Sequence, residues 1–419
     1  VGVTTADQGG SMLNTLPALQ GSVKNKDLQV RVILHPMTYL VAGQLNHKAL
    51  KWDTKANPLD DTPTSASPSV GGDLTRFDAG QDASALPENY LLFGAWKQIY
   101  DGSNQGYTGY FKHPGYWDKG NNAPNDPVTG KPDPNAPNDL LGMNGTLNFS
   151  REKLIASMDF YTKNNQPVET HTNGSWAAED YMTAIELAIA NHPDAKDLRH
   201  TFIHGQMEER QIVERSIGKY DELDSTANMY SDLSGTARQE GTDTDANGKA
   251  WTASELRAAL KNGKLIKDQN LVSSYFINHT YFWGDRHYEM FLGQDRAERI
   301  SPLRSALKRG ILFSNHNDTF VTPIDPLLSV WSAVNRRTSG GRILGENQTI
   351  PVMDALRSVT SWAAYQACEE TSKGSLEPGK LADMVVLGDN PLAVDKKAIR
   401  DIPVLATIVG NELVYGSLE

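Results

Sequence analysis

The chain has 419 residues, 39% hydrophobic and 22% charged, which suits one large globular domain with an appendage. Its net charge of -11 argues against nucleic acid or anionic lipid as the main partner, because phosphate binding relies on a positive surface field. A single cysteine excludes an intrachain disulfide and a Cys-rich zinc site.

Taken in chain order, β-type apolar runs alternate with helical periodicity from the first residue to about Gly310, which predicts a parallel sheet. The opening VGVTTADQGG lacks the basic and apolar regions of a signal peptide, and no apolar run approaches the roughly 20 residues that cross a bilayer. A soluble chain is expected, with cytoplasmic and periplasmic placement both open. Strands are predicted at Val1 to Thr5, Leu28 to His35, Leu91 to Tyr100, Pro167 to His171, His200 to His204, more weakly Ser225 to Tyr230, and Ile311 to Ser314, seven in all. Helices are predicted over Glu179 to Ala190, over Ser254 to Leu260 behind the capping box Thr252-x-x-Glu255, and from Ser301-Pro302 to Gly310. Two insertions rich in Asn, Asp, Pro and Gly, DTKANPLDDTPTSASPSVGGD and YWDKGNNAPNDPVTGKPDPNAPNDLLG, read as long loops, either a lid or interface or a solvated excursion.

Beyond Asp318 a helix opened by Thr349-Ile350-Pro351 is expected to continue past Ala364, with Cys368 as a buried, inert thiol in the same run. The chain then changes character: GSLEPGKLADMVVLGDNPL and ATIVGNELVYGS predict short strands, with Gly410-Asn411 as a hairpin turn. Residues 1–365 are therefore read as the catalytic unit and 366–419 as a small β appendage.

Lys97, His171, His204 and Asp318 each fall near the C-terminal end of a separate predicted strand, where side chains distant in sequence converge on one mouth if the sheet closes into a barrel. Histidines 171 and 204 are suitable ligands for a divalent transition metal, and Asp318 offers an oxygen that binds the ion or takes a proton from its water. Such a water ionises near neutral pH and supplies a hydroxide to attack a carbonyl carbon. Lys97 fits the set only as a carbamate bridging two ions. Singly, each residue has a blander reading: a bonded structural histidine, a surface lysine, a turn-capping aspartate. The joint occurrence at successive strand ends lifts the set.

At these segments the sequence resembles a family. GSLEPGKLADMVVLGDNPL is similar to the C-terminal signature of the amidohydrolase superfamily, and DPLLSVWSAVNRR, THTNGSWAAED, FIHGQM and AWKQIYDGSNQG resemble the branch that includes N-substituted formamide deformylases. The resemblance runs essentially from Val1 to Glu419. It implies a (β/α)8 barrel with a small β-sandwich and a site holding one or two divalent ions, zinc by expectation. It also implies that Lys97 ends strand four, His171 strand five, His204 strand six and Asp318 strand eight.

Two departures stand out. The family's first strand carries a His-x-His pair, and none of the ten histidines here is so spaced. The expectation is that strand one and part of the sandwich lie upstream: cleaved, supplied by another chain, or not included in this sequence. Ser175 stands where the family's HxNGD pattern has Asp, which removes an expected partner of His171.

His279, His316, Trp283 and Tyr107 are further candidates for substrate contact, with Trp117 as a third aromatic wall residue, although ordinary packing explains these positions equally well. The reading is a metal-dependent hydrolase of C–N bonds in an amide, formamide or cyclic amide, with Asp318 as proton shuttle and a homo-oligomer as the expected assembly. Two rivals are a non-catalytic binding protein of the same fold, and a barrel glycosidase using Asp101, Glu169 or Glu208.

Overall fold

The computed structural model describes residues 2–11, 16–38, 52–53, 67–68, 90–112, 115–117, 144–220 and 243–418. Its first strand, β1 (Thr5–Ser11), pairs in parallel with β2 (Arg31–Pro36), which pairs in parallel with β3 (Leu91–Phe93). A second parallel sheet runs β4 (Trp96–Ile99), β5 (Val168–Thr172), β6 (Thr201–His204), β7 (Val272–Tyr275) and β8 (Phe313–Asn315), in that order. The two sheets are continuous, because Met37 bridges Lys97 in parallel and the Thr38 N–H donates to the Lys97 carbonyl at 2.9 Å. Strands β3 and β4 are therefore one strand interrupted at Gly94. A Cβ at Gly94 would collide with the His35 ring, so the backbone yields there to an imidazole.

Seven parallel positions result, each adjacent to the next in chain order, as strand-helix alternation requires. Six match predicted strands, although the first lies at Thr5–Ser11 and not at Val1 to Thr5. The seventh position is filled by Val272–Tyr275, which the sequence reading missed, while the expected Ser225 to Tyr230 strand lies outside the described residues. Among the described residues β1 pairs only with β2 and β8 only with β7. The two long insertions lie almost wholly outside the described residues as well.

The outer layer follows from local sequence. Helix α1 (Leu16–Lys24) crosses from β1 to β2. Helix α2 (Arg151–Lys163) is capped by Ser150, whose hydroxyl accepts from the Lys153 N–H, and carries Glu152 at its positive end and Lys163 at its negative end. Helix α3 (Ser175–Asn191) starts earlier than predicted and is buried on nearly every side, because its Ala-, Ile- and Leu-rich surface packs against α2, the sheet and α4 (Arg210–Ser216). Leu154, Met158, Tyr161, Tyr181, Ile185 and Phe202 form the centre of this layer, each such burial contributing about 2 kcal/mol. The predicted capping box of Thr252 and Glu255 opens α5 (Ala253–Ala259). Helices α6 (His279–Arg286), α7 (Leu303–Lys308) and α8 (Pro326–Asn335) complete the wall, α8 being started by Pro326 and by Asp325, whose carboxylate accepts from the Leu328 N–H.

The helix expected from Thr349 past Ala364 is two, α9 (Val352–Ser358) and α10 (Ser361–Gln366), separated at Val359 and Thr360. Cys368 lies just beyond α10 in left-handed backbone (φ 57°) and is half-buried, not enclosed in a helix. The appendage is an antiparallel sheet of β9 (Met384–Leu387), β10 (Val404–Val409) and β11 (Glu412–Gly416), with Gly410 and Asn411 at φ 58° and 69° as the predicted hairpin demands. Asp383, inside the GKLADMVVL segment, locks this sheet to the parallel core. Its carboxylate accepts from Arg31 Nε and Nη2 at 2.7 and 3.0 Å and from the Gly410 N–H at 2.8 Å, with both side chains almost wholly buried.

Candidate functional site

The C-terminal ends of the parallel strands bring His171, His204, His316 and Asp318 to one region; Lys97 does not end β4 as expected but is its second residue, paired in register with Glu169 and two residues below the position that pairs with His171. The rings of His171 and His204 lie 4.3 Å apart, centroid to centroid, and those of His204 and His316 lie 5.0 Å apart. His204 and Asp318 hold left-handed backbone, φ 74° and 49°, which is costly for any residue with a Cβ and gathers at functional positions. The Asp318 side chain is exposed at the mouth, and partial enclosure pushes its carboxyl up while His171 and Lys97 oppose the rise.

His171 is held from the direction the sequence reading missed. Asp101, fully buried two residues beyond β4, accepts from His171 Nδ1 at 2.8 Å and from the backbone N–H groups of Asn173, Gly174 and Tyr110 at 3.0, 2.8 and 3.0 Å. Four donors converge on one carboxylate, and the arrangement fixes both the ring and the turn that follows β5. Ser175 turns elsewhere: its hydroxyl accepts from the Lys112 N–H at 3.0 Å. The partner lost at Ser175 is thus supplied by Asp101, four residues after Lys97.

Two further groups surround this core. Lys97 Nζ lies 3.4 Å from Glu169 Oε1; Glu169 Oε2 lies 3.3 Å from His35 Nδ1; and His35 Nε2 lies 2.8 Å from Asp7 Oδ1. Burial works against charge on His35, but Asp7 and Glu169 outweigh it and raise the imidazole to about 9. For Asp7, burial pushes the carboxyl up, and His35 and Lys97 overcome this to hold it below the usual carboxylate range. On the other side, His279 is buried with Nδ1 2.9 Å from His287 Nε2, and Phe276 lies against His204, His279 and His316. Burial, reinforced by neighbouring imidazoles, keeps His204 and His279 far below the ordinary histidine range; burial alone takes His287 down to about 3, and burial with Lys97 takes His316 to about 3. These rings are neutral at physiological pH.

The expected aromatic wall divides. Trp283 stacks on His279 at 4.6 Å, whereas Tyr107 packs with Tyr116 and Phe291, and Trp117 covers Gly293. The carboxylates of the glycosidase reading are all engaged: Asp101 as above, Glu169 with Lys97 and His35, and Glu208 with Ser273 and Tyr275, where burial raises it to about 8.

The donor set suits a divalent ion in kind. His171 engages Nδ1 with the Asp101 carboxylate, which is how a ligating imidazole is usually oriented, and His204 engages Nδ1 with the His316 ring. Among the described residues no three His, Cys, Asp or Glu side chains stand close enough to enclose an ion. Lys97 is paired with Glu169, a contact that carbamate formation would have to break.

The chain is similar to several known proteins. A family model described as amidohydrolase family matches residues 247–415. The putative amidohydrolase YtcJ of Bacillus subtilis (strain 168) is 24% identical over 342 residues, 81% of this chain and 50% of that protein. N-substituted formamide deformylase of Arthrobacter pascens is 30% identical over 134 residues, 32% of this chain and 24% of that protein. Among solved structures, an uncharacterized metal-dependent hydrolase from Pyrococcus horikoshii OT3 aligns with a TM-score of 0.55 at 17% identity, covering 94% of this chain and 57% of that one. Another from Pyrococcus furiosus gives 0.51 at 15% identity, covering 90% and 54%. The structural likeness defines a barrel-like α/β fold. Residues 247–415 thus match the amidohydrolase family, the chain is similar over most of its length to a putative amidohydrolase, and it spans about half the length of that B. subtilis relative.

Proposed function

We propose that the chain forms the catalytic part of a metal-dependent hydrolase of C–N bonds in amides, formamides or cyclic amides. The seven parallel positions belong, in this reading, to a (β/α)8 barrel over residues 1–365, with residues 366–419 in a small β-sandwich. The observation that carries it is the grouping of His171 and His204, at the ends of β5 and β6, with Asp318 after β8 and Lys97 within β4, each imidazole braced through Nδ1.

His171 and His204 would hold a divalent ion, zinc by expectation, with Lys97 and Asp318 completing the set. Once bound, such an ion supplies a Lewis acid and lowers the ionisation of water toward neutral pH. The remaining work falls to the protein. Asp318, exposed and with its carboxyl pushed up by its surroundings, takes a proton from the attacking water and returns it to the leaving nitrogen. Neutral His279 and His316, with Phe276 and Trp283, form an uncharged wall that accepts an amide rather than an ionic substrate.

The likeness to N-substituted formamide deformylase makes N-substituted formamides the first substrates to try. The test is hydrolysis of an N-alkyl formamide panel by the purified chain, before and after chelation and zinc return. Turnover that disappears with the metal and returns with it supports the reading, and metal-independent turnover or none at any zinc level opposes it.

A further inference from the structure

On the inner side of β7 and β8 a run of hydrogen bonds leads away from His204. His204 Nδ1 lies 3.0 Å from His316 Nε2, His316 Nδ1 lies 2.9 Å from Ser274 Oγ, Ser274 Oγ lies 2.7 Å from Ser314 Oγ, and Ser314 Oγ lies 2.5 Å from Gln366 Oε1. The sheet dictates this line. Ser274 and Ser314 are direct partners across β7 and β8, so their side chains share a face, and His316 follows two residues later on the same alternation. Gln366 closes α10, which packs against β8 and delivers an amide oxygen to the end of the run.

Proton counting gives the run one direction. The amide oxygen of Gln366 can only accept, so the single hydroxyl proton of Ser314 goes to it. Ser314 must then accept from Ser274, whose own proton is thereby used, and Ser274 must accept from His316 Nδ1–H. Two ring nitrogens in contact share one proton, and His316, protonated on Nδ1, can offer only an acceptor at Nε2. His204 Nδ1–H is the donor.

We propose that Gln366, acting through Ser314, Ser274 and His316, fixes His204 as the Nδ1-protonated tautomer and leaves Nε2 with its lone pair. His204 is almost wholly buried, so solvent is poorly placed to set this choice. These four are positioning residues; the consequence that Nε2 is ready to bind a metal ion rests on the reading above, whereas the tautomer itself does not.

The test reads the tautomer directly, in the metal-free full chain labelled with 15N-histidine, by long-range 1H–15N correlation at neutral pH, with the His204 signals assigned by their loss in His204→Gln. The expected pattern is a protonated Nδ1 and an unprotonated Nε2. Gln366→Glu keeps an acceptor at the end of the run and retains the pattern. Ser314→Ala and Gln366→Leu remove it and lower the tautomer ratio roughly five- to tenfold, the effect of one neutral hydrogen bond. Gln366 sits half-buried at a helix end, so its variant remains informative if the buried Ser314→Ala fails to fold. Protonation of His204 on Nε2 in the wild-type chain, or an unchanged ratio in the variants, would overturn the proposal. A chain with the expected tautomer that binds no zinc would uphold it and count against the metal-site reading instead.

Discussion

Replacing Asp101 by Asn isolates what holds His171 in place. The substitution keeps the volume but trades a carboxylate with four donors around it, His171 Nδ1 at 2.8 Å and three backbone N–H groups at 2.8 to 3.0 Å, for an amide with one acceptor oxygen and an NH2 group that faces donors. A hydrogen bond to a charged group contributes roughly 1.5 to 3 kcal/mol, and stranding donors in a fully buried site adds to the loss. The expected destabilisation is about 3 to 5 kcal/mol, the range seen when one partner of a buried pair is removed. Zinc affinity should fall about 10- to 100-fold, as it does when a ligand's supporting carboxylate is lost. Urea unfolding of the metal-free chain measures the first quantity, and competition against a chromophoric chelator measures the second. Stability within about 0.5 kcal/mol of wild type together with unchanged zinc affinity would refute the role assigned to Asp101.

Other substitutions probe separate parts of the account. Asp318→Asn should lower kcat at least about 100-fold while the chain still binds metal, because it removes the proton carrier but leaves both imidazole ligands and an amide oxygen in place of the carboxylate; near-normal turnover would rule out the shuttle. Asp383→Ala removes the carboxylate that takes two bonds from the buried Arg31 guanidinium and should lower stability by about 3 to 5 kcal/mol in urea unfolding, with the appendage sheet more exposed to proteolysis. His35 titrates in the folded chain at about 9 against 6.5 when unfolded, so its stabilisation is fully present below about pH 6.5 and disappears as pH rises through 9. The shift corresponds to about 3 kcal/mol, and the difference in urea stability between wild type and His35→Gln should shrink by that order between pH 6 and pH 10.

What the sequence made legible were the strands with continuous β-branched or apolar runs, such as RVILHP and TFIH, and the caps built from local side chains at Thr252 and Gly410-Asn411. Val272–Tyr275 escaped because Ser273 and Ser274 break its apolar pattern. Both serines serve partners remote in sequence, Glu208 in one case and His316 in the other. Asp101 was visible only as a carboxylate near a strand end, since its role depends on amides at Tyr110, Asn173 and Gly174 that the fold brings to it. Ser175 read as a lost support for the same reason. The pairing of Lys97 with Glu169, and of His35 with Asp7, likewise joins different strands and leaves no mark in local sequence.

Metal stoichiometry after zinc loading and gel filtration, measured by inductively coupled plasma mass spectrometry on the wild-type chain and on the His171→Ala/His204→Ala pair, tests the central claim most directly. The account predicts one to two equivalents retained by the wild type and none above the buffer blank in the double variant. Equal zinc in both proteins, or none in either, would contradict a metal centre built on these two histidines.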